Sequence, residues 1–161
     1  MFAQFANFFN TASLPGGTRV YAIGDIHGYP DALETLLEQV HTDIRQAPHV
    51  KSQIVFLGDY VNRGPDTPKV LSALISEKKM QKLDGVERHF LVGNHDLWFG
   101  GFLANDNVRF HGTINFLCNG GARALENYGV SISQEASRVK TVFFPVSPIS
   151  RFPIEFITLK P

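Results

Sequence analysis

The sequence is short of several things, and each shortage removes a class of answer. It has one cysteine, Cys118, which excludes an intrachain disulfide and gives no sign of an oxidising compartment. It has no excess of charge, since 15 Lys and Arg balance 15 Asp and Glu. No electrostatic footprint for a nucleic acid polymer or an acidic membrane follows from that total. It has no apolar run of the length that spans a bilayer, so no membrane partner is expected. Its first ten residues lack the basic start of a secretory signal, and the expected location is the cytoplasm. No internal repeat or low-complexity tract interrupts it.

What remains is ordinary enough to fold. With 161 residues, 43% hydrophobic and 19% charged, the chain suits one domain with a real core. Three stretches organise it. Val20-Tyr21-Ala22-Ile23 runs into Gly24-Asp25-Ile26-His27-Gly28. Ile54-Val55-Phe56-Leu57 runs into Gly58-Asp59-Tyr60-Val61-Asn62-Arg63-Gly64. Phe90-Leu91-Val92 runs into Gly93-Asn94-His95-Asp96. Each reads as a buried strand ending in a tight polar turn. Ligands of open α/β sheets bind outside the carboxyl ends of the strands, so the three turns predict one shared polar site.

The segments between fit crossover helices. Pro30-Asp31 opens one, with Leu33, Leu36, Leu37, Val40 and Ile44 as its buried face and Ala47-Pro48 as its end. Gly64-Pro65-Asp66 opens the next, with Val70, Leu71, Leu74 and Ile75 inward and Lys78 and Lys79 suited to its end. Strands near 19–23, 53–57 and 87–92 complete a βαβαβ order, which predicts a mainly parallel sheet. Leu97, Trp98, Phe99 and Phe102 suggest another helix, with Gly100-Gly101 marking an early end. Residues 113–128 form a further segment interrupted at Gly120-Gly121, with Ala122, Leu125 and Tyr128 on one face. Before all this, Phe2, Phe5, Ala6 and Phe9 sit at helical spacing. They suit an arm packed on the domain's own surface or, alternatively, one that touches a partner or a membrane. From Ser131 onward the character changes: there are four Pro and four Phe, and no Gly, His or Asp. Residues 142–144 and 156–158 suit short strands, though the prolines argue against central ones.

The turns carry a recognisable chemistry. Asp25 and His27 stand two apart, so an extended turn points both toward one centre. Asp59 closes the second strand and Asn94 the third. One imidazole with several carboxylate and amide oxygens suits Mn²⁺, Fe²⁺ or Zn²⁺, and a carboxylate such as Asp59 can bridge two ions. Two ions roughly 3.5–4 Å apart clamp both oxygens of an in-line phosphoryl displacement. The planar fork of Arg63 matches phosphate oxygens, and His95 suits a general acid. Any one of these residues alone is more simply a turn or capping residue. The ordered set of three is not explained that way.

The blocks G-D-x-H-G, G-D-x-x-x-R-G and G-N-H-D resemble the signature of the calcineurin-like metallophosphoesterases, within them the bacterial serine/threonine protein phosphatase branch. Gly58-Asp59-Tyr60-Val61, the run 18–28, and Asn119-Gly120-Gly121 through Tyr128-Gly129 carry the finer likeness. The resemblance implies an α/β fold with a two-sheet β-sandwich flanked by helices and two divalent ions at one edge. It implies that Asp25 and His27 bind the first ion, Asp59 bridges, and Asn94 binds the second. Arg63 and Asn94 then contact phosphate, and His95 is the acid. Hydrolysis is expected to be direct, by a metal-bound hydroxide, with Mn²⁺ the leading ion and Fe or Zn²⁺ alternatives. The expected substrate is a phosphorylated protein or small phosphoester. The alternatives are a diadenosine-tetraphosphatase-like nucleotide hydrolase and an inert phosphatase remnant.

The sequence departs from the family at two points. Asn62 stands where the family usually has the Asp that orients the acid His. The family also draws two more His ligands from its carboxyl-terminal half, whereas the last His here is His111. The expected division is an arm at 1–17, the amino-terminal portion of the phosphoesterase domain at 18–130, and a divergent tail at 131–161 from a frameshifted or truncated reading frame. The second metal site is expected to be incomplete.

Overall fold

Apolar alternation and turn chemistry build two consecutive crossovers. The structure, a computed structural model, describes residues 13–104 and 115–130. The elements are β1 (Thr18–Ile23), α1 (Pro30–Gln46), β2 (Lys51–Phe56), α2 (Thr67–Asp84), β3 (Glu87–Phe90) and α3 (Asn94–Leu103). A further helical stretch bends at Leu117–Gly121 and continues as α4 (Ala122–Asn127). The fold is mixed α/β. β2 lies between β1 and β3, parallel to both, with Ile54 opposite Tyr21 and Arg88, and Phe56 opposite Ile23 and Phe90.

Alternation along β2 buries Ser52, Ile54 and Phe56. Ile54 and Phe56 share one apolar cluster with Leu33, Leu37 and Val40 of α1 and Val70 and Leu74 of α2. Burying a side chain of this size contributes about 1.5–3 kcal/mol. Pro30 starts α1 at a position where no backbone donor is needed. The Asp66 carboxylate caps α2 by accepting from the Lys69 amide at 2.8 Å. Gly85, at φ +71°, ends α2 in the left-handed conformation.

Four local expectations are corrected. The buried stripe of α2 is Thr67, Val70, Leu74 and Glu77, while Ile75 is 52% exposed. The helix turns that way because Glu77 meets Arg88 of β3, an ion pair that apolar spacing does not register. Leu36 of α1 is likewise exposed. Lys78 and Lys79 lie inside α2, which runs on to its glycine stop. Helix α3 does not end at Gly100-Gly101. It continues to Leu103, its tail held by Phe102 against Phe116 at 5.0 Å, and Phe99 lies 5.6 Å from Phe116. This packing offsets a cost of about 1 kcal/mol per helical glycine.

The described residues form one three-stranded sheet. The expected arm at Phe2–Phe9, the tail strands at 142–144 and 156–158, and His111 lie outside the described residues. No described helix is long and apolar enough to cross a membrane.

Candidate functional site

The three turns meet because their backbones are stitched together. The amides of Ile26 and His27 donate to the Asp59 carbonyl at 3.1 and 2.9 Å, and Gly28 N donates to Tyr60 O at 2.9 Å. Gly64 N returns to His27 O at 2.8 Å. The third turn is tied in by Asp96. Its carboxylate accepts from the amides of Asp59 (2.7 Å), Tyr60 (2.9 Å) and Gly93 (3.0 Å). Burial pushes the Asp96 carboxyl up, and the three amides restrain that shift. The bond to Gly93 also closes half of a capping box at the start of α3. Sequence reasoning passed over Asp96 as the last letter of its motif. The available signal was its place three residues after Gly93. Gly93 is required here, because a Cβ would run into the Asp59 carboxylate.

Among the described residues, four that are not glycine have left-handed backbones: His27 (φ 47°), Asp59 (55°), Asn62 (75°) and Arg63 (65°). All four are predicted site residues. Each such conformation costs about 1–3 kcal/mol and persists only where neighbours over-determine it. The stitching above is that over-determination.

The side chains converge. Ligand atoms of His27, Asp59 and His95 lie within 4.8 Å of one another. Asp59 Oδ1 accepts from the His95 amide at 2.9 Å. His27 is buried, and its Nδ1 lies 3.0 Å from the Val61 carbonyl. Nδ1–H therefore donates there, and the lone pair sits on Nε2. That atom is buried without a hydrogen bond among the described residues, and the nearest carboxylate oxygen, of exposed Asp25, is 3.4 Å away. A lone pair fixed by a backbone carbonyl and aimed at carboxylates fits a divalent cation. Asn94 opens α3 and is exposed.

His95 is buried between two donors. Asn62 Nδ2 lies 2.9 Å from its Nδ1, and Arg63 Nη2 lies 3.3 Å from its Nε2. A neutral imidazole accepts only once. Asn62 Oδ1 meanwhile is buried without a partner among the described residues. Turning the Asn62 amide over resolves both facts: Oδ1 accepts from Nδ1–H, and Nε2 accepts from Arg63. Nε2 is then left with its lone pair toward Arg63. Burial holds the His95 pKa below its usual value; Asp59 opposes that shift, while His27 and Arg63 reinforce it. Trp98 closes the other side of the ring at 4.9 Å.

Comparison with known proteins agrees with this geometry. A sequence model of the calcineurin-like phosphoesterases matches residues 18–146. The chain belongs to that family. Similar proteins include the symmetrical bis(5'-nucleosyl)-tetraphosphatase of Delftia acidovorans, 38% identical over 78 residues, covering 48% of this chain and 24% of the relative. The asymmetrical bis(5'-nucleosyl)-tetraphosphatase PrpE of Oceanobacillus iheyensis is 36% identical over 80 residues, 48% of this chain and 30% of the relative. The symmetrical enzyme of Ectopseudomonas mendocina is 41% identical over 81 residues, with shares of 48% and 24%. This phosphoesterase chain thus spans between 24% and 30% of the length of these curated relatives. Divalent-metal use belongs to the family, and His27 and Asp59, grouped with His95, are the candidate ligands for it here, while both ring nitrogens of His95 are engaged by Asn62 and Arg63.

Proposed function

We infer that this chain is the metal- and phosphate-handling portion of a hydrolase that cleaves phosphoric anhydride or ester bonds, with a dinucleoside polyphosphate as its substrate class. The observation that carries the reading is the convergence of His27, Asp59 and His95 at three strand ends, with the Arg63 guanidinium 3.3 Å from His95. Asp25, His27 and Asp59 would hold one divalent cation, and Asp59 and Asn94 would contribute to a second, for which Mn²⁺, Fe or Zn²⁺ suits the donors. The cations supply Lewis acidity at the phosphoryl oxygens. Arg63 and Asn94 orient those oxygens. His95 gives its Nε2 proton to the leaving oxygen, and Asn62 fixes the tautomer that permits this.

Asn62 also bears on the substrate. A carboxamide orients His95 but adds no negative charge to support its imidazolium form. An acid form that is sparsely populated suits a leaving group that needs little protonation. A nucleotide phosphate, with a second pKa of about 6, is such a group, whereas a serine alkoxide is not. The relatives reported above are named for nucleotide hydrolysis, so this reading displaces the expected phosphoprotein substrate.

The test is hydrolysis of diadenosine tetraphosphate, p-nitrophenyl phosphate and a phosphoserine peptide with added Mn²⁺, on the full chain verified by intact mass. Asp59→Asn is the control. Turnover of the first two that is absent in the control supports the reading. Preference for the phosphopeptide removes the nucleotide assignment, and no turnover above control removes the activity.

A further inference from the structure

The Asn62–Arg63 turn is held on one side by the first turn, as described. Its other side faces the segment that follows α3, and two contacts there join residues some sixty positions apart. Asn127, the last residue of α4, accepts from the Thr67 amide through Oδ1 at 3.0 Å and donates to the Pro65 carbonyl through Nδ2 at 2.6 Å. Thr67 is the first residue of α2, so its amide has no partner inside the helix. Pro65 follows directly on Gly64. Asn127 therefore grips both ends of the short link between Arg63 and α2. Gly120 supplies the second contact: its carbonyl accepts from the Arg63 amide at 3.4 Å. A Cβ on Gly120 would lie 2.8 Å from that nitrogen and 2.9 Å from Arg63 Cγ, so the close approach needs glycine.

We propose that Asn127 is a positioning residue which, with Gly120, latches the Arg63 turn in its left-handed conformation and so makes residues 115–128 part of the phosphate-binding apparatus. The carboxamide is the group the geometry demands. It offers an acceptor to an N–H and a donor to a C=O at once. An Asp in its place puts oxygen against the Pro65 carbonyl, and an Ala offers neither bond. Arg63 and Asn62 both sit at positive φ, which leaves the turn dependent on such outside bonds. The function of the latch rests on the reading of Arg63 as a phosphate donor, but its existence does not.

The experiment is nuclear magnetic resonance on the full chain with Mg²⁺, following the backbone amide and Nε–Hε signals of Arg63 and titrating orthophosphate. Asn127→Ala is expected to move both Arg63 signals and to weaken orthophosphate about tenfold, as Arg63→Ala does. Asn127→Asp, which keeps the acceptor for Thr67, is expected to recover part of the Thr67 protection but not the Arg63 signals. Arg63 signals that stay in place in Asn127→Ala overturn the latch. Should that variant fail to fold, the unaltered chain still decides: the Thr67 amide must exchange slowly with solvent, and fast exchange overturns the proposal. If Arg63→Ala itself leaves orthophosphate binding unchanged, the phosphate-site reading fails, and the latch is still judged on the Arg63 signals.

Discussion

The two ends of the sheet treat buried polar groups in opposite ways. Where β3 begins, Arg88 lies with its side chain fully buried. Its Nε donates to Glu77 at 2.7 Å, its Nη1 to Asp84 at 2.9 Å and to the Val86 carbonyl at 2.9 Å, and its Nη2 to Asp84 at 2.8 Å. His41 of α1 adds a contact to Glu77 at 3.2 Å. At the other end, where β1, β2 and β3 stop, His27 Nε2 is buried without a hydrogen bond among the described residues. All four left-handed non-glycine residues gather there. The Arg88 end is internally balanced and serves the fold. The turn end carries strain and a spare lone pair, which a structure retains where a ligand or a reaction uses them.

Substitutions can break that contrast. The largest effect is expected at Asp59, which presents its carboxylate to the cluster and orders the His95 amide. Asp59→Asn should lower turnover of diadenosine tetraphosphate by about 10³-fold or more, in the range for losing a group aimed at developing charge. The melting temperature should change little. Arg88→Met should do the reverse. Leaving Glu77 and Asp84 without their cation should cost about 3–5 kcal/mol in urea unfolding, with turnover per folded molecule unchanged. A loss of both properties in either variant would dissolve the division between the ends.

Two smaller experiments sharpen it through pH. Because the His95 pKa is lowered, its acid form is lost early as pH rises, and activity should fall on the alkaline side through that lowered value. Asn62→Asp places a carboxylate beside Nδ1, favours the imidazolium and should extend activity to higher pH. A pH–rate profile checks the direction, and an unmoved limb would separate His95 from the proton transfer. The smallest effect belongs to Asp84, whose pKa is lowered chiefly by its hydrogen bond to Arg88. A carboxylate lowered in the folded state stabilises it above the unfolded value of about 3.9 and loses that contribution as pH falls through the folded one. Unfolding free energy should therefore drop more steeply in acid for the unaltered chain than for Asp84→Asn.

The sequence made the turn end legible and the Arg88 end almost invisible, for a physical reason. The three turns follow local grammar: an apolar run, a glycine, then polar side chains. Val20 to Gly28 and Ile54 to Gly64 state it within a dozen residues. β1, β2 and α1 followed from alternation and from Pro30, whereas Leu91 and Val92, expected as the buried end of the third strand, lie exposed beyond Phe90. Glu77, by contrast, is buried because of a charge on another element, and no period in α2 announces it. Ile75 was read inward for want of that information. Gly100 and Gly101 looked like a helix end because the rings of Phe116 and Tyr128, which pack on α3, come from a later segment. Asp96 was in plain view within its motif, but its three backbone partners come from two different turns.

The parallel order of the strands also sets a schedule. Gln53 and Glu87, opposite one another in β2 and β3, are 34 residues apart in sequence, and β1 joins β2 across a comparable span. Each pairing must close a long loop before any contact rewards it, which slows folding of such topologies. The helices can gather early, but His27, Asp59 and His95 come from three separate turns and cannot meet until both pairings are complete. Trp98, the chain's sole tryptophan, packs on His95 at 4.9 Å and so reports that final moment. Its fluorescence should change in the slowest refolding phase, after helical circular dichroism has recovered, and competence to bind should arrive with it.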